Sequence, residues 1–242
     1  MTEPAPRATS RENETPHDPA VELSGEGRIW SLPGVYAPQA DSYLLSAVMR
    51  REGIGPGMDV LDVCTGSGVL ALGAARLGAR VTAVDISRRA VLSARLNALA
   101  ARTPVDVRRG DLLTGVLPGS FDVVVSNPPY VPAPDTRLPR RGACRAWDAG
   151  LDGRILLNRI CEQVPAVLRP GGRLLMVHSA LCGPDETVHR LTQAGLSAEV
   201  SDRLSIPFGP VVTGRIRWLR ENGLVPTGIT TEELVVVRAL RT

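Results

Sequence analysis

The stretch DVLDVCTGSGVLA, residues 59–71, joins an apolar run, a glycine-rich turn and the start of an apolar helix. The apolar run predicts a buried strand, and the turn places Gly66 and Gly68 where that strand passes into the helix. Small residues at this point let a ligand approach the backbone N–H groups of the helix N-terminus. We therefore expect a strand–turn–helix unit that binds a nucleotide-like ligand.

The rest of the chain continues this alternation of strands and helices, which is typical of a parallel sheet with helices on both faces. The predicted fold is therefore α/β and doubly wound. Strands are predicted at residues 59–64, 80–86, 105–111, 121–127, 172–179, 197–204 and 232–240, and helices at residues 39–52, 69–78, 87–102, 153–168 and 186–194.

The composition favours one soluble enzyme-sized domain, with 242 residues of which 43% are hydrophobic and 22% charged. The net charge of +3 rests on arginine alone, because the chain contains no lysine, and it is too small to indicate nucleic-acid binding. The four cysteines and three histidines show no metal-ligand spacing, so we expect no disulfide framework and no metal. No apolar stretch predicts a signal peptide or a membrane span, and we expect a cytoplasmic protein.

Two segments differ in composition from the rest. Residues 1–22 contain few apolar side chains, which predicts a disordered N-terminal tail ahead of a single domain at residues 23–242. Residues 207–231 are punctuated by glycine and proline and include GRIRWLREN. We expect them to form an insert with one short helix between the last two strands, more simply a surface excursion than a functional element.

The glycine turn also matches a dinucleotide-binding fingerprint. Gly66, Gly68 and Ala71 have the required spacing, and Asp85 follows Gly66 by 19 residues at the end of the next strand, where it can accept from ribose hydroxyls. This pattern alone does not separate NAD from S-adenosylmethionine, and a tight turn without any ligand is a further alternative.

Two other carboxylates distinguish these ligands. Asp62, at the end of the first strand, would suit the ammonium group of a cationic amino acid, whereas it would repel a pyrophosphate. Asp111 follows the third predicted strand, where a carboxylate can accept from the amine of adenine. An adenosine that carries a positively charged amino-acid tail fits this turn better than a dinucleotide does.

The motif SNPPY, residues 126–130, leaves the fourth strand at the same edge of the sheet as the glycine turn. A planar nitrogen has a delocalised lone pair, so its methylation is helped when acceptors hold its N–H groups. The side-chain oxygen of Asn127 and the carbonyl of Pro128 provide two acceptors. Pro128 and Pro129 restrict the backbone, and Tyr130 can stack on a planar acceptor. This motif therefore indicates transfer to a planar amino group by positioning rather than by acid–base catalysis.

Together these motifs resemble the class I S-adenosylmethionine-dependent methyltransferases. Within that class, GVYAPQADSYLL (residues 34–45), NPPYVP (residues 127–132) and RAWDAGLDGR (residues 145–154) resemble the HemK family. The resemblance covers about residues 30–206 and 232–240. It implies a Rossmann-like, seven-stranded, mostly parallel sheet with an antiparallel last strand.

The resemblance also implies site residues. S-adenosylmethionine is expected against Tyr36, Ser42, Asp62, Thr65, Gly66, Gly68, Asp85, Asp111, Leu112 and Asn127. The catalytic motif is expected to be Asn127, Pro128, Pro129 and Tyr130, with the acceptor amide against Asn127, Pro128 and Tyr130. Candidate substrate contacts are Tyr130, Trp147, Asp148, Gly150 and Gly153. A structural role for the last group, with Asp152 capping the following helix, is the alternative.

The implied activity is methylation of the N5 amide of a protein glutamine, such as that of a release-factor Gly-Gly-Gln loop, with S-adenosylhomocysteine as by-product. The chain resembles the short branch typified by eukaryotic and archaeal enzymes, which lacks the N-terminal helical domain of the bacterial enzymes. Eukaryotic members use a small zinc-binding partner, so an activating partner is a further expectation. The insert at residues 207–231 has no counterpart in that branch, and Cys64 stands where many methyltransferases have glycine.

Three alternatives remain open at this point. The same motif serves N-methyltransferases of small metabolites or of nucleic-acid bases, although few aromatic residues are available to stack on bases. A non-catalytic binding subunit is opposed by the presence of Asp62, Asp85, Asp111 and Asn127. An NAD-dependent reductase with a Tyr-x-x-x-Lys pair is opposed by the absence of lysine.

Overall fold

A computed structural model describes residues 29–242, and within them strands and helices alternate as the sequence predicts. The strands are β1 Asp59–Val63, β2 Arg80–Asp85, β3 Asp106–Arg109, β4 Phe121–Ser126, β5 Leu168–Ser179, β6 Leu196–Pro207 and β7 Thr231–Arg241. The helices are α1 Ala40–Arg51, α2 Val69–Arg76, α3 Arg88–Ala100, α4 Ile155–Val167, α5 Pro184–Gln193 and α6 Pro210–Glu221. The predicted tail at residues 1–22 lies outside the described residues.

All seven strands form one sheet in the order β3-β2-β1-β4-β5-β7-β6. The pairs from β3 to β5 are parallel, whereas β7 runs antiparallel to both β5 and β6. The predicted mostly parallel sheet with an antiparallel last strand is confirmed. Residues 234–237 of β7 are at most 1% exposed, which fits a strand that is covered on both faces and paired on both edges.

Two apolar cores cover the two faces of the sheet. Successive residues of a strand point to opposite faces, so Leu174 and Met176 of β5 join one core, and Leu175 and Val177 join the other. Helices α4 and α5 pack on the first face, and α1, α2 and α3 pack on the second. This arrangement confirms the doubly wound α/β fold and leaves the ends of the strands free to form a site.

The boundaries differ from the predicted ones mainly around the predicted turn at residues 169–172. The structure begins β5 at Leu168, and the pairing with β4 jumps from Phe121–Leu168 to Val123–Arg173. The glycine–proline stretch is therefore an irregularity within the strand, with Gly171 in the left-handed region at φ +77°. At the third strand Val105, Gly110 and Asp111 of the predicted segment are left out, and β3 keeps the four residues Asp106–Arg109.

The segment at residues 207–231 contains one helix, α6, between β6 and β7. Both strands meet this segment at the edge of the sheet where β1 and β4 also end. Its buried residues Val212, Leu219 and Val225 form a third, small apolar cluster apart from the two main cores. Between residues 29 and 242 no helix has the length and hydrophobicity that crossing a membrane requires.

Candidate active site

A cavity of about 600 Å³ opens at the carboxyl ends of β1, β2 and β4, which is in the range of about 300–1,000 Å³ typical of small-molecule sites. It lies where the strand order changes direction between β1 and β4, the usual ligand position in an open α/β sheet. Thirteen of the seventeen site residues predicted from the sequence line it. The four that do not are Asp62, Gly68, Gly150 and Gly153.

Asp85 connects the glycine turn to the start of α3. Its Oδ2 accepts from the Gly66 N–H at 3.0 Å, and its Oδ1 accepts from the Ser87 N–H at 2.8 Å. Burial raises the pKa of Asp85, while these two amides act in the opposite direction. The two hydrogen bonds fix the carboxylate at the cavity wall, where further lone pairs can accept from ligand hydroxyls.

The turn itself is shaped by three residues in the left-handed region, which are Cys64, Gly66 and Gly68. Gly68 has φ +85°, and a Cβ there would lie 3.0 Å from the Ala94 Cβ, so this glycine lets the turn pack against α3. Cys64 has φ +62° despite its side chain, which costs roughly 1–2 kcal/mol. Burial, followed by the charges of Asp85 and Asp62, raises the pKa of Cys64. This shift favours the protonated thiol over the thiolate.

Asp62 lies beneath the turn and is 0% exposed. Its Oδ2 accepts from Thr65 Oγ1 at 2.6 Å and from the Ala71 N–H at 3.1 Å, whereas its Oδ1 has no partner within the described chain. Burial raises the pKa of Asp62 to about 7. A buried oxygen without a hydrogen bond is unfavourable, and a cationic group bound nearby would stabilise the ionised form.

The free energy of unfolding is expected to fall as the pH rises through the titration of Asp62. The folded-state pKa of Asp62 is about 7, whereas the pKa of an aspartate in an unfolded chain is about 3.9. Because the folded chain holds the proton more tightly, the stability that protonation provides is present below about pH 4 and is lost toward about pH 7. Urea unfolding at about pH 5 and about pH 8 measures this decline. The fall in the free energy of unfolding should be smaller in Asp62→Asn than in the parental chain. An equal fall in the two proteins would contradict the titration of Asp62 as its cause.

A third carboxylate and a left-handed residue follow β3. Asp111 Oδ2 lies 2.8 Å from Arg159 Nη2 of α4, and the two side chains are 45% and 33% exposed. The next residue, Leu112, has φ +49° and is buried at the cavity wall. The arrangement leaves the second carboxylate oxygen of Asp111 available to a ligand amine.

Asn127 is held in one orientation by α1. Its Nδ2 donates to Ser42 Oγ at 3.3 Å, and Ser42 is in turn fixed by its N–H, which donates to Asp41 Oδ1 at 2.6 Å. No hydrogen bond from any residue between 29 and 242 engages Asn127 Oδ1. The amide therefore presents an oxygen acceptor to the cavity.

Asp41 is a residue of this site that the sequence reasoning missed. It is 3% exposed, and its Oδ2 accepts from Tyr36 Oη and from Tyr130 Oη, each at 2.9 Å. Burial, with the negative charge of Asp41, raises the pKa of both tyrosines, so they remain neutral donors. The signal in the sequence was an acid at the start of a helix, inside the motif of residues 34–45 that also contains Tyr36. Asp41 joins these motifs and fixes Tyr130 from behind.

Two loops form the outer wall, and we name them by their residues: the acceptor loop, 127–133, and the wall loop, 147–153. They pair in parallel, with the Val131 N–H donating to the Trp147 carbonyl at 2.8 Å and the Ala149 N–H donating to the Val131 carbonyl at 3.0 Å. Trp147 and Asp148 line the cavity.

The two wall-loop glycines lie behind the cavity rather than in its wall. At Gly150 a Cβ would overlap the side chain of Ile155, and at Gly153 it would overlap the carbonyl oxygen of Tyr130. Both have positive φ. Asp152 Oδ1 accepts from the Arg154 N–H just before α4. These contacts favour the structural role that the sequence left open, and acceptor contacts by the two glycines remain a prediction.

The cavity rim is strongly basic. Its four carboxylates are engaged: Asp41 by the tyrosines, Asp85 by backbone amides, Asp111 by Arg159 and Asp148 by Arg215. Six further arginines of the wall form no ion pair with a carboxylate in the part of the chain that the structure describes: Arg88, Arg89, Arg109, Arg140, Arg141 and Arg145. In the same residues no three histidine, cysteine, aspartate or glutamate side chains are grouped as metal ligands.

Comparison with known proteins agrees with this geometry. Residues 26–139 match the methyltransferase small domain family. The chain is 34% identical over 177 residues to a protein of Methanocaldococcus jannaschii that bears the name of a protein N5-glutamine methyltransferase, covering 73% of this chain and 88% of that protein. It is 41% identical over 167 residues to the release factor glutamine methyltransferase of Deinococcus radiodurans, covering 66% of this chain. That match spans only 56% of the Deinococcus protein.

A solved structure has the same fold over nearly its whole length. This is the Mtq2–Trm112 complex of E. cuniculi, described as responsible for methylation of the translation termination factor eRF1. It superposes with a TM-score of 0.62 at 25% identity, and the match covers 86% of this chain and 99% of that chain.

Proposed function

The chain belongs to the HemK family of S-adenosylmethionine-dependent methyltransferases, and on that premise we propose that it methylates the side-chain amide nitrogen of a protein glutamine. The observation that carries this proposal is the oriented amide of Asn127, which lines the same cavity as Pro128 and the glycine turn and whose Nδ2 is engaged by Ser42, so that its Oδ1 is left available. Two fixed oxygen acceptors match the two N–H groups of a primary amide.

The cavity wall fits the cofactor. S-adenosylmethionine would supply an electrophilic methyl group. The Asp85 carboxylate would bind the ribose hydroxyls, and Asp111 would bind the adenine amine with Leu112 beside it. Asp62 Oδ1, which has no partner within the described chain, lies beneath the turn and would favour an ammonium group bound there. The cofactor side of the cavity is completed by Tyr36, Ser42, Thr65, Gly66 and Asn127. Gly68 supports the turn by its close approach to α3.

The acceptor amide would be oriented by this chain rather than activated by a base. Asn127 Oδ1 and the Pro128 carbonyl would accept from its N–H groups, with Pro129 restricting the backbone and Tyr130 packed alongside. The hydrogen bond between Tyr130 and Asp41 fixes that ring. Because the two tyrosines stay protonated, neither would take up the N–H proton of the amide, which would pass to solvent as the methyl group moves from sulfur to nitrogen. The rate would then depend on the alignment of the amide with the methyl group.

A release factor is the acceptor that we propose, with the glutamine of its Gly-Gly-Gln loop as the methylated residue. The relatives from Deinococcus and E. cuniculi bear names or descriptions of this activity, which supports the same acceptor class here. Trp147 and Asp148 would contact the acceptor at the outer wall. Release factors act in the cytoplasm, which agrees with the expected localisation.

A small activating partner is also part of the proposal. The E. cuniculi relative is a complex with Trm112, and here α3 exposes a stripe of leucines spaced four and three residues apart beside the edge strand β3. Leu92, Leu96 and Leu99 are 51%, 43% and 76% exposed. A partner that covers this stripe would remove apolar surface from water. Full activity of the purified chain alone would remove the need for it.

The basic rim supports a second candidate, an acceptor that is part of an anionic molecule, such as a base of a nucleic acid or an amine of a small anionic metabolite. Six wall arginines that form no ion pair with a carboxylate of the described residues would attract phosphate or carboxylate groups. Incubation of the chain with labelled S-adenosylmethionine and separated protein, nucleic-acid and small-molecule fractions of its host distinguishes the candidates. Label on a release-factor-sized protein supports the first proposal, and label only in another fraction supports the second.

Asp85→Ala is expected to weaken binding of S-adenosylmethionine by about 10- to 100-fold, because a hydrogen bond to a charged group contributes about 1.5–3 kcal/mol. Titration calorimetry measures this dissociation constant. Asp106→Ala is the control, because Asp106 lies on the neighbouring strand outside the cavity and pairs with Arg108. Unchanged affinity in Asp85→Ala would contradict the ribose contact, and melting temperatures check that both variants fold.

A further inference from the structure

The helix of the insert, α6, contacts both loops of the outer wall through one side chain. Arg215 Nη1 donates to the Pro132 carbonyl of the acceptor loop at 3.1 Å. Arg215 Nη2 lies 2.6 Å from Asp148 Oδ1 of the wall loop, as an ion pair that lacks good hydrogen-bond alignment. One guanidinium therefore joins the two loops, and its planar fork suits two separate acceptors.

The two contacts of Arg215 add to backbone hydrogen bonds between the acceptor loop and the wall loop. Three hydrogen bonds already join the loops: those of Val131 and Ala149 described above, and that of the Ala133 N–H, which donates to the Gly150 carbonyl at 2.8 Å. The Pro132 carbonyl takes no part in that backbone pairing and accepts from Arg215 instead. Arg215 thus fixes the spacing between the residues that follow Tyr130 and the residues that follow Trp147.

An apolar contact supports the same attachment. The cluster of Val212, Leu219 and Val225 packs against Val131 of the acceptor loop and Leu181, two residues after β5. The side chains of Arg215 and Asp148 are only 22% and 14% exposed, so their attraction is screened less by solvent than that of a surface pair. Helix α6 is therefore packed against the outer wall of the cavity and is not a free surface excursion.

We propose that α6 fixes the acceptor loop and that Arg215 is a positioning residue for methyl transfer. The proposal rests on the proposed function, because it takes the acceptor loop as the surface that orients the methylated amide. Arg215 touches neither the cofactor side of the cavity nor Asn127. It acts through Pro132 and Asp148, and displacement of a reacting group by about 1 Å can lower a rate by about 100-fold.

The test compares Arg215→Ala with Arg217→Ala. Arg217 lies two residues further along α6, its side chain is 92% exposed, and it pairs with Glu221 of the same helix. Arg215→Ala is expected to lower kcat by about 10- to 100-fold while the affinity for S-adenosylmethionine is unchanged. Arg217→Ala should retain parental kcat. Arg215→Lys should restore part of the loss, because an ammonium group can reach one acceptor but does not reproduce the fork.

Hydrogen exchange separates this proposal from the proposed function. The amides of Val131, Ala133 and Ala149 should exchange faster in Arg215→Ala than in the parental chain. In Arg217→Ala they should exchange at the parental rate. Both results are expected whether or not a release factor is the acceptor. A parental chain that methylates no glutamine would contradict the proposed function alone. Unchanged exchange at these amides, or a loss of kcat that only follows a lower melting temperature, would overturn the role of Arg215.

Discussion

Asn127→Ala is expected to lower kcat by about 100- to 1,000-fold, the size of effect found when one oriented hydrogen-bonding group is removed from an active site. The affinity for S-adenosylmethionine should change much less. The reason is the geometry of the side chain: its Nδ2 is engaged by Ser42, which leaves its Oδ1 available to the proposed acceptor amide. An interaction that orients the acceptor in the transition state appears in kcat rather than in cofactor binding.

Two further variants make this result specific. Ser42→Ala removes the partner of Nδ2 and lets the amide rotate, so its loss of kcat should be smaller than that of Asn127→Ala. Asn222→Ala is the control asparagine, because its Nδ2 only donates to the Trp218 carbonyl at the end of α6. Equal losses of cofactor affinity and of kcat in Asn127→Ala would contradict this division of roles.

Gly153→Ala is expected to reduce both stability and activity, although Gly153 does not line the cavity. A Cβ at this position would overlap the Tyr130 carbonyl and lie 2.8 Å from Cys182 Sγ, while φ is +73°. Backbone strain of roughly 1–2 kcal/mol and overpacking of about 1–3 kcal/mol would add, and relief of the overlap would displace Tyr130.

Gly171→Ala is the matched control for this prediction. Gly171 has φ +77°, and a Cβ there would meet no atom within 4 Å, so its variant carries only the strain of roughly 1–2 kcal/mol. Urea unfolding and kcat should both show the larger effect in Gly153→Ala. Similar losses of stability in the two variants, with parental kcat in Gly153→Ala, would contradict a tight contact with Tyr130.

Patterns along the chain were sufficient for the sheet because apolar periodicity reports which faces are buried. The run that forms β7, for example, has no polar side chain from residue 234 to 237, as expected of an internal strand. Asp85 and Asn127 were placed for a similar reason: each follows an apolar run, and parallel strands end at one edge of the sheet.

Contacts between distant segments could not be predicted in this way. Asp41 joins Tyr36 to Tyr130, which is 89 residues further along the chain than Asp41, and no local pattern encodes such a pair. Likewise, the many arginines of α6 predict a solvated surface helix. Only the folded structure shows that Arg215 contacts Pro132 and Asp148. Gly153 shows the same limit, because a glycine in a loop does not reveal which carbonyl it must approach.

The most direct test is methylation of a purified release factor from the same organism with labelled S-adenosylmethionine, followed by mass spectrometry of the Gly-Gly-Gln peptide. We expect one added methyl group on the side-chain nitrogen of that glutamine, formed about 100- to 1,000-fold more slowly when Asn127→Ala replaces the parental enzyme. A factor whose glutamine is replaced by glutamate should carry no added methyl group. An unmodified peptide from every release factor of the organism, with methyl transfer to another molecule instead, would contradict it.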